Sequence, residues 1–115
     1  MAFPIQRLRR LRASAGIRSL VRETELSPND FVLPLFVRPG KGEKRPIRSM
    51  PGHFQWSVDT VVGPAREAAR LGVPAVILFG IPDKKDSLAR GAYAKDGIVQ
   101  RAARAVKEAC PGLLV

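Results

Sequence analysis

The amino-acid sequence predicts an α/β fold in which helices connect parallel strands. Residues 31–37 and 75–79 are continuously apolar and rich in strand-forming side chains, as strands buried on both faces of a parallel sheet are. An amphipathic segment follows each of them, at residues 57–71 and 96–109, and a third apolar run starts at Leu113. The order strand, helix, strand, helix, strand is typical of right-handed parallel crossovers.

The N-terminal segment is predicted to be an arm outside this domain. Leu8 and Leu11 share one face of a weakly amphipathic stretch, with arginines between them. Six arginines precede the first acidic residue, Glu23, so positive charge is concentrated here. We therefore divide the chain into an arm, residues 1–26, and a domain, residues 27–115, that holds the first two βα units and the start of a third strand.

The domain is predicted to open with one helical turn, because Ser27 is a favourable N-cap and is followed by a proline and an early acid. The next strand contains Pro34, which cannot donate a hydrogen bond to a ladder. That strand is therefore expected to lie at a sheet edge or to bulge at Pro34. Residues 38–52, punctuated by glycine and proline, are expected to form a long loop.

The first long helix is predicted to begin with Ser57 as its N-cap and with Trp56 packed on Val61 as a hydrophobic staple. Pro64 removes a backbone donor from the second turn, so it either bends this helix or marks its true start. Gly72 supplies the stop signal at the C-terminal end.

A second long helix is predicted after a charged loop at residues 83–95, with Asp96 as its cap. Residues 113–115 follow a helix stop and are typical of the opening of a buried strand. Two helices and the start of a third strand cannot cover both faces of a sheet. We therefore expect the chain to be the first part of a larger protein, either an open doubly wound sheet or an eight-stranded barrel.

Composition places the chain among ordinary globular proteins, since 45% of its 115 residues are hydrophobic and 26% are charged. The formal net charge of +10 would allow polyanions to be held by neutralisation of their phosphates. A small basic nucleic-acid-binding protein that uses its arginine-rich arm is therefore the alternative function. Few aromatic side chains are placed for base stacking, so charge alone supports that hypothesis.

Cysteine and hydropathy patterns indicate a soluble protein of a reducing compartment. Cys110 is the single cysteine and His53 the single histidine, which excludes an internal disulfide and a Cys/His zinc set. The longest apolar stretch, residues 73–82, is too short to cross a bilayer. We expect a cytoplasmic protein. An organellar transit peptide is the alternative reading of the Arg-rich, acid-poor start.

No side chain of this sequence meets the requirements of a catalytic group. Residues 38–44 lack the spacing of a phosphate-binding loop. The lysines lie in polar loops or on the wet face of a helix, whereas a Schiff-base lysine needs an apolar or cationic pocket. His53 has no nearby acid, and the three aspartates within residues 83–96 match no metal loop.

Active sites of α/β proteins gather at the carboxyl ends of strands. The positions nearest such a site are Phe36, Val37, Phe79, Gly80 and Ile81.

Five segments, in this order and at these separations, resemble one enzyme family. They read RLRR at residues 7–10, NDFVLPLFV at 29–37, PIRSMPG at 46–52, AVILFGIP at 75–82 and GIVQRAARAVKEACPGLLV at 97–115. The family is porphobilinogen synthase, also called delta-aminolevulinic acid dehydratase, and the resemblance covers nearly the whole chain.

The resemblance implies a TIM (β/α)8 barrel preceded by an extended arm that wraps a neighbouring subunit, usually in an octamer. Members of the family are lyases that condense two molecules of delta-aminolevulinate into porphobilinogen, the monopyrrole of haem and chlorophyll synthesis. They use two active-site lysines and a metal, zinc or magnesium. The arm residues that would make the oligomer contacts are Arg7, Arg9, Arg10 and Arg12.

The resemblance assigns no catalytic residue and no metal ligand to this chain. In the family, the metal-binding segment begins just beyond the position that matches Val115, and both catalytic lysines come much later. Phe79 alone matches a family position near the substrate pocket, where it would form part of the wall. By itself the chain is expected to be inactive.

Overall fold

A computed structural model of the chain describes residues 3 and 5–115. It contains two short 3₁₀ turns, four strands and four α-helices within these residues. In chain order they are the turn Arg10–Arg12, α1 Ala15–Leu20, the turn Pro28–Asp30, β1 Val32–Val37, β2 Lys44–Pro46, β3 Phe54–Trp56, α2 Val62–Arg70, β4 Ala75–Gly80, α3 Arg90–Tyr93 and α4 Ile98–Ala109.

The strands form one mixed sheet in the order β2, β3, β1, β4. β1 and β4 are parallel and pair along their whole length, from Val32 opposite Ala75 to Val37 opposite Gly80. An isolated parallel bridge joins Ala75 to Leu114, so the third apolar run begins to pair, and it does so beside β4. The α/β class with parallel crossovers is thereby confirmed.

The core lies between one face of this sheet and the two longer helices, α2 and α4. Strand residues alternate between the two faces of a sheet, and every second residue of β1 and β4 enters this core. Val37, Val61 and Val106 are the largest side chains with no exposed surface. The other buried apolar residues are Leu35, Ala65, Ala68, Val76, Ala102, Cys110 and Leu113.

Pro34 occupies an interior strand, because β1 lies between β3 and β4. The pairing with β4 is continuous through Pro34 and Ile77, so the strand has no bulge there. β3 pairs only with Phe36 and Val37, and backbone groups of alternate residues point to alternate neighbours. Arg38 N–H donates to Trp56 of β3, so the nitrogen of Pro34, four residues earlier, points toward the same side of β1. β3 is too short to extend alongside Pro34. The missing donor therefore breaks no ladder bond.

The predicted loop at residues 38–52 is wrong in part, because it contains half of a β-hairpin. β2 pairs antiparallel with β3, from Lys44 opposite Trp56 to Pro46 opposite Phe54. The Lys44 ammonium lies 4.5 Å from the ring centre of Phe54 and 5.3 Å from that of Trp56, a cation–π arrangement that holds the two strands together. Strands of three residues are too short to show a period, which is why the sequence did not reveal them.

The first long helix begins later than predicted, at Val62, and its N-cap position is occupied by Val61 and not by Ser57. Trp56 belongs to β3, and residues 57–61 form irregular turns in which Val61 N–H donates to the Ser57 carbonyl. Pro64 therefore lies in the first turn of α2, where a missing N–H costs nothing, and it marks the true start of the helix. Gly72, with φ +82°, ends the segment as predicted.

Two further predictions concern the region before α4. Asp96 is not its cap: Gly97 occupies the N-cap position and no side chain caps the helix. The charged loop at residues 83–95 contains a short helix, α3. By contrast, the turn at Pro28–Asp30 is confirmed, with a capping box in which Ser27 N–H donates to the Asp30 carboxylate over 2.7 Å. Among the described residues, no helix is long and apolar enough to cross a membrane.

Candidate functional site

One face of the sheet carries no helix in the part of the chain that the structure describes. The side chains of β1 and β4 that point away from the core share this surface, which we call the open face. Three of them are large and exposed: Val32 by 55%, Ile77 by 45% and Phe79 by 47%. The complete open face is Val32, Pro34, Phe36, Ala75, Ile77 and Phe79.

The carboxyl end of the open face is formed by two stacked phenylalanines. Phe36 and Phe79 are register partners in β1 and β4, with ring centres 5.6 Å apart and planes inclined by 27°. The other predicted strand-end positions do not share this surface. Val37 is fully buried in the core, and Gly80 packs against α4. Ile81 continues the ladder by donating its N–H to the Val37 carbonyl over 2.7 Å.

A cavity of about 400 Å³ adjoins the carboxyl end of β4. The cavity is open to solvent on one side and is lined by the end of the strand, the charged segment that contains α3 and the first turn of α4. Lys84, Lys85 and Asp86 contribute to its lining. The Asp86 carboxylate is engaged by the backbone N–H groups of Leu88 and Arg90 and by the Arg90 side chain, so its charge is already partnered.

The carboxamide of Gln100 fastens this segment to α4. Its Nε2 donates to the Ala92 carbonyl over 2.7 Å, while its Oε1 is buried without a partner in the described structure. A Cβ atom on Gly97 would lie 2.6 Å from the Gly91 carbonyl oxygen and would also collide with the Gln100 carboxamide. Gly97 is therefore required by close packing between α3 and α4.

A second polar cluster fixes the loop after β1 to the start of the α2 region. Ser57, which has no exposed surface, accepts a hydrogen bond from Glu43 N–H over 2.9 Å and donates to Asp59 over 2.5 Å. Thr60 donates to the Glu43 carbonyl over 2.6 Å, and Gly42 N–H donates to Asp59 over 2.9 Å. This cluster is a structural clamp, since the buried Ser57 hydroxyl and the backbone groups of residues 42 and 43 are hydrogen-bonded within it.

The clamp should make the stability of the protein sensitive to acid through the carboxylate of Asp59. Hydrogen bonds from the Ser57 hydroxyl and the Gly42 N–H hold the pKa of Asp59 below its ordinary value of 3.8. A carboxyl group with a lowered folded-state pKa contributes stability that is present above the unfolded-state pKa and is lost as the pH falls through the folded-state pKa. Asp59→Asn should therefore reduce the loss of stability that the protein suffers below pH 3.8.

The measurement is the urea midpoint of Asp59→Asn and of the unmodified protein at about pH 6 and about pH 3. Asp83→Asn, at an exposed carboxylate outside the clamp, is the control. An equal midpoint shift between the two pH values in unmodified protein and Asp59→Asn would contradict the prediction.

The lysines and the histidine considered as catalytic candidates do not lie together in one site. Lys84 and Lys85 are exposed at the cavity rim, and His53 is exposed in the hairpin. Lys107 donates to the carbonyls of Pro111 and Leu113 at the end of α4, a structural role. Within residues 3 and 5–115, no group of three or more His, Cys, Asp and Glu side chains could hold a metal ion. These residues therefore do not fit the zinc or magnesium that the resemblance implies.

The arm extends away from the core. Arg7, Arg9, Arg10 and Arg12 are exposed, and the only side-chain bond among the described arm arginines is Arg18 to the Arg12 carbonyl, at 3.0 Å. Residues 1, 2 and 4, which belong to the predicted arm, lie outside the described residues. The arm thus presents guanidinium groups without acidic partners in the described chain.

Sequence reasoning named Phe36 among the strand-end positions but did not pair it with Phe79. Period-two alternation places Phe36 and Val37 on opposite faces, and likewise Phe79 and Gly80, but it does not tell which face is the core. The pairing of Phe36 with Phe79 additionally needs the register of β1 against β4, which is not encoded in either strand alone.

A family model and several curated proteins are similar to this chain over nearly its whole length. The family model described as delta-aminolevulinic acid dehydratase matches residues 5–115. The delta-aminolevulinic acid dehydratase of Synechococcus elongatus is 53% identical over 113 residues, which are 98% of this chain and 35% of that protein. The Bacillus subtilis protein of the same name is 41% identical over 115 residues, which are 100% of this chain and 36% of the relative.

The fold has a counterpart among solved structures. The crystal structure of delta-aminolevulinic acid dehydratase (porphobilinogen synthase) from Toxoplasma gondii ME49, in complex with the reaction product porphobilinogen, matches with a TM-score of 0.86 and 37% identity. The match covers 98% of this chain and 33% of that chain. This chain thus spans about a third of the length of the relatives that it matches. Because the family model covers nearly all of its residues, the chain belongs to the delta-aminolevulinic acid dehydratase family.

Proposed function

We propose that this chain forms the arm and the first βα units of a porphobilinogen synthase. This lyase condenses two molecules of delta-aminolevulinate, with loss of water, into porphobilinogen for tetrapyrrole biosynthesis. The observation that supports the proposal most directly is the structural match to an enzyme bound to its product, which extends over 98% of this chain.

The open face fits the inner face of an eight-stranded barrel. In such a barrel, side chains that point inward from each strand pack in layers, and the active site lies at the carboxyl ends of the strands. The apolar residues of β1 and β4 would form part of those layers. The Phe36–Phe79 pair lies at the carboxyl end, where Phe79 would wall the substrate pocket.

The chemistry of the reaction lies outside the described residues. A lysine that forms a Schiff base must be neutral near pH 7, which requires burial in an apolar pocket or a cationic neighbour. Every lysine of this chain is exposed. In the family, metal ions supply Lewis-acid chemistry. The described residues of this chain contain no group of side chains that could bind such an ion. We therefore propose that the chain alone is inactive and contributes architecture.

The arm is proposed to contact a neighbouring subunit of a homo-oligomer, with an octamer as the expected state. It is rich in arginine and carries exposed leucines at positions 8, 11, 20 and 26, a combination of side chains suited to a protein surface with acidic and apolar patches. The oligomeric state is measured by sedimentation of the complete protein with and without residues 1–26.

The activity is tested by expressing the complete open reading frame that encodes this chain, in the presence of zinc or of magnesium. We expect porphobilinogen to form from delta-aminolevulinate, detected by a colour reaction specific for pyrroles. The same assay on the 115-residue chain alone should give no product. Absence of product from the complete protein with either metal would contradict the proposed function.

A further inference from the structure

Phe36 is in contact with Phe79, which we propose to be part of the wall of the substrate pocket. Its ring lies 5.6 Å from that of Phe79, and the small angle of 27° between the planes makes the arrangement a stack. Within the described residues, Phe36 is the aromatic ring stacked on Phe79, and the other aromatic pair, Phe54 with Trp56, lies on the hairpin.

The stack matters because the Phe79 ring can take several orientations by rotation about its two side-chain torsions. Phe36 and Phe79 are register partners in paired strands, so the two backbones hold their rings side by side. A stacked neighbour, itself only half-buried and fixed in an interior strand, favours one of these orientations by aromatic contact and by excluded volume.

We propose that Phe36 is a positioning residue, whose ring holds that of Phe79 in the orientation that walls the substrate pocket. The proposal rests on the proposed function and goes further in one respect. It assigns to Phe36 a role that acts through Phe79 and not through direct contact with the reacting atoms. Because a wall contact is made equally before and during the reaction, its loss should raise KM and leave kcat nearly unchanged.

The test uses the complete protein and Phe36→Leu, which keeps an apolar side chain of similar size but removes the aromatic ring. We expect KM for delta-aminolevulinate to rise about five-fold, with kcat within about two-fold of the unmodified enzyme. Phe36→Tyr, which retains the ring, should restore the original KM. The matched control is Val32→Ala, on the same strand and face but opposite Ala75. Its KM should not change.

A double-mutant cycle separates positioning from independent effects. If Phe36 acts through Phe79, Phe36→Leu should add nothing to the KM of Phe79→Ala. Multiplication of the two effects, or a rise in KM for Val32→Ala equal to that for Phe36→Leu, would overturn the inference while the proposed function stands. If the unmodified complete protein forms no porphobilinogen, the proposed function fails and the inference fails with it.

Discussion

Gly80→Ala is expected to lower the stability of the protein by about 2 kcal/mol, because the new methyl group would meet α4. A Cβ atom at this position would lie 2.6 Å from Cγ2 of Val99 and 2.9 Å from Cγ2 of Ile98. Real Cβ atoms do not approach other carbons so closely, so the helix or the strand must shift. Both contacts are to γ-methyl groups of β-branched side chains, whose restricted first side-chain torsion gives them little freedom to rotate away.

Gly63→Ala provides the control for the same chemical change. Gly63 lies in α2, and no heavy atom outside its immediate surroundings lies within 4 Å of a Cβ placed there. Replacement of glycine by alanine in a helix is expected to be neutral or to stabilise the protein by up to about 1 kcal/mol. Urea midpoints of the two variants measure the difference. Equal midpoints for Gly80→Ala and Gly63→Ala would show that α4 tolerates the methyl group.

Ser57→Ala should lower stability by about 2 kcal/mol through loss of the clamp between the loop after β1 and the α2 region. The Ser57 hydroxyl is buried and accepts from Glu43 N–H while it donates to Asp59. Alanine would leave that N–H without its acceptor and would remove the hydroxyl donor that favours the charged form of Asp59. An unpaired buried donor costs more free energy than the hydrogen bond contributes.

Ser49→Ala is the matched control, because Ser49 is exposed in the turn of the hairpin. Its thermal midpoint is expected to stay close to that of the unmodified protein. Ser57→Ala should lower the midpoint and also weaken the acid dependence assigned to Asp59. A Ser57→Ala protein with an unchanged midpoint would show that solvent replaces the hydroxyl at no cost.

Local chemistry predicted the parts of the fold that depend on neighbours in the chain. The turn at Pro28–Asp30 follows from a serine, a proline and an acid at fixed spacing, and the structure confirms its capping box. The end of the α2 segment at Gly72 likewise follows from the left-handed conformation, φ +82°, that glycine adopts readily. These features need no information from distant residues.

Predictions failed where distant contacts override local preference. Ser57 has the side chain of an N-cap, but its hydroxyl is spent on Glu43 and Asp59, and α2 starts at Val62. Asp96 is a favourable cap by residue type, yet Gly97 takes the N-cap position, where the carboxamide of Gln100 occupies the space of a Cβ. At Ser57 the hydrogen bond from Glu43, fourteen residues away, outweighs a capping bond worth about 1 kcal/mol, and at Gly97 the packing of α3 against α4 does so.

Part of the candidate site was likewise predictable from the sequence, and part of it was not. The apolar runs placed Phe36 and Phe79 at strand ends, and the motifs of residues 29–37 and 75–82 indicated the family. Neither observation could tell which strand-end residues face the open surface and which, like Val37, are buried beneath the helices. That distinction requires the position of α2 and α4.

The sequence by itself determined the order of β1, α2, β4 and α4, the parallel crossover between the two strands and the family, because apolar runs, helical periodicity and turn residues are properties of short segments. Only the tertiary structure decided the register of β1 against β4, the insertion of the hairpin beside β1 and the stacking of Phe36 on Phe79. The physical reason is that β1 pairs with residues 43 positions away in β4 and 19 positions away in β3, and the relative placement of such residues is selected by packing and not by local preference.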